Sequence, residues 1–135
     1  MSTSTCSIVY RPDLGVVVAR WLDDASFAQL QADFMTILRE AEKHAVARWL
    51  LDVRRRDQLS PELGNWTTSI FYPQAADQLL PQQLRISVLC SPVRMAVYEA
   101  SDEQKEYLTY GLSNERTYRM RLFGDEGSAM QWLLA

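Results

Sequence analysis

Apolar residues along this chain switch between two spacings, and the switches mark its elements. Residues 7–10 and Val16–Trp21 are rich in β-branched and aromatic side chains and predict two strands. Between them Arg11-Pro12-Asp13-Leu14-Gly15 supplies a proline and a glycine for a turn, so the pair reads as a β-hairpin. VVVARW is apolar at nearly every position, the pattern of a strand covered on both faces. Asp23 or Asp24 then caps a predicted long helix. Phe27, Leu30, Phe34, Ile37, Leu38, Ala41 and Ala45 recur at steps of three and four, one stripe of an amphipathic helix. Asp33, Arg39, Glu40, Glu42 and Lys43 read as its solvated face, and His44 sits in its last turn, where positive charge suits the helix dipole.

RWLLDV, residues 48–53, predicts the next strand. Ser60-Pro61-Glu62 has the order of a helix start: capping hydroxyl, proline in the first turn, acid near the positive end. Leu63, Trp66, Thr67 and Ile70 form the predicted inward face, and Phe71-Tyr72-Pro73 predicts an interruption before a short helix at 74–80. RISVLC, residues 85–90, predicts a fourth strand, and Ser91-Pro92 repeats the cap-then-proline device ahead of a helix at 93–100. A further helix is expected from Ser101 to near Gly111. TYRMRLF, residues 117–123, alternates as a fifth strand, and Asp125 caps a last helix with Met130, Leu133 and Leu134 inward.

The order β-β-α-β-α-β-α-β-α predicts an α/β fold. It implies a single mixed, mostly parallel sheet of about five strands, packed helices and an antiparallel N-terminal hairpin. Val18, Leu50, Leu51, Val88 and Leu89 are the expected core of the sheet, with Phe34 and Ile37 packed onto it. The 135 residues suit one domain spanning 1–135, with 1–6 expected to be flexible.

Composition narrows the function more than it names one. A net charge of −3 disfavours bulk nucleic-acid binding, which needs a basic face. No apolar run approaches the roughly 20 residues of a membrane span, and residues 1–15 lack the basic-then-apolar order of a secretion signal. Cys6 and Cys90 are far apart, with no C-x-x-C or Cys/His cluster, and predict reduced thiols in the cytoplasm. With one histidine, five scattered glycines and no G-x-S-x-G elbow, the sequence builds no metal centre, phosphate loop or Ser-His-Asp triad. No cofactor, no metal and no catalytic residue are expected.

The run from LLDVR through RISVLCSP to FGDEGSAMQWLL resembles SpoIIAA-like, or STAS-type, domains of bacteria, over residues 7–134. The C-terminal strand leading through Phe123 and Asp125-Glu126 into Ala129-Met130-Gln131-Trp132-Leu133 carries the resemblance most strongly. It implies a SpoIIAA-like fold and a non-enzymatic regulatory module that contacts another protein. Relatives in the wider superfamily bind lipids or other small molecules, the alternative expectation here. Antagonists of this fold switch a partner through a phosphorylated serine in an Asp-Ser-Ser/Thr-Gly type motif. The corresponding stretch here reads Asp57-Gln58-Leu59-Ser60-Pro61, with the serine but without its neighbouring aspartate, second hydroxyl or glycine.

The residues also single out one edge. Ligands of open α/β sheets gather beyond the carboxyl ends of the parallel strands. Arg54, Arg55, Asp57 and Ser60 follow one such strand, and Ser91 follows the next. They are the candidate anion- or partner-binding edge, with Ser60 the candidate phosphorylation site. The plain structural account has the arginines Arg54, Arg55 and Arg56 pairing with Asp52 and Asp57, and the two serines acting as caps. Phe71-Tyr72-Pro73 and Tyr107 with Tyr110 are either core or the lining of an acyl or partner groove. The expected partner is a protein, with a small molecule or lipid as the alternative. The chain is expected to be a monomer or homodimer.

Overall fold

The computed structural model describes residues 5–56, 60–100 and 117–135. Its sheet has five strands in the order β1-β2-β3-β4-β5, so spatial order follows chain order. β1 (Cys6–Arg11) pairs antiparallel with β2 (Val16–Trp21). β3 (Arg48–Asp52), β4 (Arg85–Leu89) and β5 (Arg119–Phe123) then add in parallel. The mixed α/β sheet and its N-terminal hairpin match the pattern read from the sequence.

Alternation along each strand sends side chains to opposite faces. On one face Val17, Ala19 and Trp21 of β2, Trp49 and Leu51 of β3, and Ile86 and Val88 of β4 share a core with Leu30, Phe34, Ile37, Leu38 and Ala41 of α1 (Phe27–His44). On the other, Val16, Val18 and Leu50 meet Ala129 and Leu133 of the C-terminal helix (Glu126–Leu134). Ser87, fully buried on that face, donates its hydroxyl to the Ala129 carbonyl at 2.9 Å, so a small side chain lets the helix approach closely. The five predicted sheet-core residues are all buried, and so are Phe34 and Ile37.

Several local expectations are corrected. The cap of α1 is Ser26, whose Oγ accepts from the Gln29 N–H; Asp23 instead accepts from the Asp24 N–H, tightening the loop. Ala45 is not on the stripe: it ends α1 in the left-handed conformation at φ 54°. Asp33 is only 3 % exposed rather than solvated. In the C-terminal helix Ala129 and Leu133 are buried, Met130 is half-buried and Leu134 is exposed.

The predicted break at Phe71-Tyr72-Pro73 does not occur. α2 (Pro61–Trp66) runs through a π-helical stretch, Thr67–Phe71, into α3 (Tyr72–Gln78). Proline lacks a donor and crowds the carbonyl four residues earlier, and a π-turn relieves that crowding without ending the helix. The wider turn moves burial to steps of four: Thr67, Phe71, Ala75 and Leu79 on one row, Thr68, Tyr72 and Ala76 beside it. Ile70, predicted inward, is therefore exposed. Phe71 and Tyr72 belong to the core. α4 (Pro92–Ala100) follows β4, and the C-terminal helix is labelled α5. The helix expected after Ser101, with Tyr107 and Tyr110, lies outside the described residues.

Phe34 sits at the centre of the helical-face core, with ring centroids of Trp21, Phe71, Trp66 and Tyr72 at 5.3, 5.2, 6.1 and 6.1 Å. Phe34→Ala should cost about 3–5 kcal/mol, read as a shift of the denaturant midpoint. A loss below about 1 kcal/mol, the scale of a surface change, would contradict its central place.

Candidate functional site

Because β2 to β5 are parallel, the segments that leave them open on one edge of the sheet. β2 delivers Leu22, β3 delivers Arg54 to Arg56, β4 delivers Ser91, and β5 delivers Asp125 and Glu126. The edge carries one polar cluster on each side of the sheet.

The first cluster lies on the α5 side. Asp52, the last residue of β3, has a side chain only 9 % exposed. Arg54 holds it in a fork, Nε to Oδ1 at 3.0 Å and Nη2 to Oδ2 at 2.8 Å, and the Arg54 backbone N–H donates to Oδ1 at 3.1 Å. Arg20 of β2, opposite Asp52 in the register, donates to Oδ2 at 2.8 Å and to Glu126 Oε1 at 2.6 Å. Two arginines and two carboxylates thus close a network between β2, β3 and the first residue of α5. Burial alone would raise the Asp52 carboxyl, but the hydrogen bonds from Arg54 and Arg20 outweigh it and hold Asp52 below the usual carboxylate range. Glu126 is also lowered, chiefly by its hydrogen bond from Arg20. Arg20 and Arg54 are correspondingly raised, first by their hydrogen bonds to Glu126 and Asp52 respectively.

The second cluster lies on the helical side. Trp21 Nε1 donates to Asp33 Oδ2 at 3.0 Å, and Gln29 Nε2 donates to Oδ1 at 2.9 Å, so both oxygens of the buried carboxylate are engaged. Arg56 is buried with its guanidinium 5.7 Å from the Trp21 ring centroid. Arg94, also buried, reaches from the first turn of α4 to donate to the Arg56 carbonyl. That contact fastens the segment after β3 to the helix after β4. Burial, then the Asp33 charge, pushes the Cys6 thiol up to about 12, and burial pushes Cys90 to about 11. Both thiols are protonated and unreactive at neutral pH.

Four of the five candidate residues of the edge have a place. Arg54 turns toward α5 and is engaged by Asp52. Arg55 is exposed and has no ion-pair partner among the described residues. Ser60 Oγ accepts from the Leu63 N–H at 3.2 Å, and Ser91 Oγ accepts from the Arg94 N–H at 3.1 Å, so both hydroxyls are helix caps. Arg54 and Ser60 do not converge on one pocket: α2 packs through Leu63 on the helical face, opposite Arg54. Asp57 lies outside the described residues. Among those described, no group of three or more histidine, cysteine, aspartate or glutamate side chains is placed to hold a metal.

Sequence reasoning missed Arg20, Asp33, Arg94 and Glu126. For Asp33 a signal was available, since position 33 falls three after Leu30 and four before Ile37, on the apolar stripe itself. Arg20 and Glu126 meet only through the sheet register and gave none. No protein-family model, curated protein or solved structure matches this chain.

Two measurements follow from these contacts. Asp52 and Glu126 titrate below their unfolded values, so their stabilisation is full above about pH 5 and fades as pH falls through the lowered folded values. Asp52→Asn should cost on the order of 1–3 kcal/mol at pH 7 and flatten the acid limb of stability against pH. An unchanged acid limb would mean that Asp52 carries none of that dependence. Ser60→Ala should cost about 1 kcal/mol in chemical denaturation and Ser60→Asp almost nothing, since aspartate caps as well. A large loss in the aspartate variant would exclude capping as the role of that hydroxyl.

Proposed function

We propose that the chain is a non-catalytic binding module of SpoIIAA-like type that works in the cytoplasm by contacting a protein through the edge beyond β2, β3 and β4. The observation that carries the reading is the mixture of exposed groups there. Leu22 and Val93 are 54 % and 75 % exposed, and Arg55 lies between them in strand order, exposed and without a carboxylate partner among the described residues. Apolar side chains alternating with arginine are the chemistry of a protein interface rather than of a solvated rim. The partner segment that suits this edge presents an acidic group between two apolar side chains.

The backbone under these groups is held in place, which favours recognition without rearrangement. The Arg94 contact to the Arg56 carbonyl and the Asp52–Arg54 fork fix the segment on both sides of Arg55. Protein contact is preferred to an acyl-chain site because Phe71 and Tyr72, the aromatics that would line such a groove, are 1 % and 5 % exposed in the core. Ser60 enters this reading as a cap and not as the switch.

Capture from native lysate, quantified by mass spectrometry, tests the proposal. The paired substitution Arg55→Glu with Val93→Asp should leave the fold intact and weaken capture about tenfold or more, the effect of roughly 1.4 kcal/mol. Ser60→Ala and Ser60→Asp should capture the same proteins as wild type. Unchanged capture by the paired variant would sink the edge as the contact surface. A change confined to Ser60→Asp would restore phosphorylation as the control.

A further inference from the structure

The opposite end of the sheet carries a different charge arrangement. β3, β4 and β5 each begin with arginine, and the register sets Arg48 against Arg85 and Arg85 against Arg119. Opposed residues share a face. Arg48 alternates with Leu50 and Asp52, and Arg85 with Ser87, which places both on the α5 side. Like charges directly opposite one another are destabilising. Elsewhere on the chain carboxylates answer such charges, as Asp13 does for Arg11, Asp52 and Glu126 for Arg20, and Asp52 for Arg54. Neither Arg48 nor Arg85 pairs with a side-chain carboxylate among the described residues. Burial first, and then the Arg48 charge, lowers the Arg85 pKa from the usual arginine value.

Part of this has a structural account. Arg85 donates from Nη1 to the Ala135 carbonyl at 2.8 Å and lies 4.4 Å from the Trp132 ring centroid, so it serves the carbonyl end of α5. Arg48 has no comparable contact and is exposed. The two arginines line one open groove of about 410 Å³, with Gly15 at the hairpin turn, Val46 before β3, and Gln82 and Gln83 before β4. Gln82 Nε2 donates to the Ala45 carbonyl at 2.9 Å, tying together the two loops that form the walls. The volume falls in the range of about 300–1,000 Å³ typical of small-molecule sites.

We propose that this groove binds a small phosphomonoester, with Arg48 and Arg85 holding its phosphate. Two guanidinium groups on neighbouring strands match the charge of about −1.5 to −2 that a phosphomonoester carries at neutral pH. A monocarboxylate would answer only one of them. Planar forks also suit the spread oxygens of phosphate better than a point cation would. Gln83, exposed on the wall, offers both an amide donor and an acceptor to hydroxyl groups on the organic part. The groove lies at the end of the parallel strands away from Arg55 and Val93. Occupancy there and partner contact at the other edge are therefore independent, and either holds without the other.

Isothermal titration at constant ionic strength, with inorganic phosphate, phenyl phosphate and acetate as probes, tests the site. Both phosphates should bind saturably at one per chain, phenyl phosphate at least as tightly as inorganic phosphate, and acetate should give no saturable heat. Arg48→Gln should weaken phosphate binding about tenfold or more with an unchanged circular dichroism spectrum. Arg85→Lys, which keeps the charge and loses the fork, should weaken it as well. Arg39→Gln, on the exposed side of α1, should bind like wild type. Should Arg48→Gln fail to fold, Arg48→Lys reads the same contact and should show the same direction. The proposal is overturned if neither phosphate binds saturably, if wild-type affinity survives both arginine substitutions, or if acetate binds as tightly as phosphate.

Discussion

Everything in this domain is arranged around a strand that must be dry on both sides. In β3 Trp49, Leu50, Leu51 and Asp52 are all buried, so helices have to cover both faces of the sheet. α1 and the continuous helical segment from α2 to α3 cover one face with an aromatic-rich layer. The short α5 covers the other with a smaller cluster, Ala129 and Leu133 flanked by half-buried Met130 and Trp132. That asymmetry decides where polar groups can lie. Among the described residues the aromatic side carries a buried carboxylate at Asp33, where Trp21 and Gln29 donate to it. The α5 side leaves room at both ends, and arginines occupy both.

The two ends then differ by one residue type. At the carboxyl end of the strands Asp52 and Glu126 neutralise Arg20 and Arg54, and the result is a rigid, self-satisfied platform. At the amino end no described side-chain carboxylate pairs with Arg48 or Arg85, and the two line an open groove. Charges carried on neighbouring strands lower what a ligand must organise on arrival. The proposed anion site uses the open end, and the proposed protein contact uses exposed Leu22, Arg55 and Val93 beside the neutralised platform.

Much of the fold was legible because its signals are local. Pro12 and Gly15 mark the hairpin turn, and Ser60-Pro61, Ser91-Pro92 and Asp125 mark helix starts that the hydrogen bonds of all three caps reproduce. The stripe of α1 was equally plain apart from Asp33, where the charge masked a position that the spacing had placed inside. The site was less legible because its contacts are non-local. Arg20 meets Glu126 across 106 residues of chain, and Arg94 meets the Arg56 carbonyl across 38. Arg54 and Ser60, six positions apart in sequence, were expected together. The sheet separates them, because consecutive elements after a strand can leave toward opposite faces.

The π-helical stretch Thr67–Phe71 has a consequence for how this protein can change over time. It acts as one residue more than an even helix would use between the cap at Ser60 and the aromatics that close the core. Losing that extra residue would leave an even helix with Phe71 and Tyr72 still facing Phe34, whereas adding another would turn everything on one side of it by about 100°. The stretch from Ser60 to Phe71 is therefore asymmetric in what it tolerates. It can shed the one residue that widens its turn, but it cannot gain another without moving the core. The letters that face inward, Leu63, Thr67, Thr68 and Phe71, are held by their burial, while those on the exposed side are free to vary.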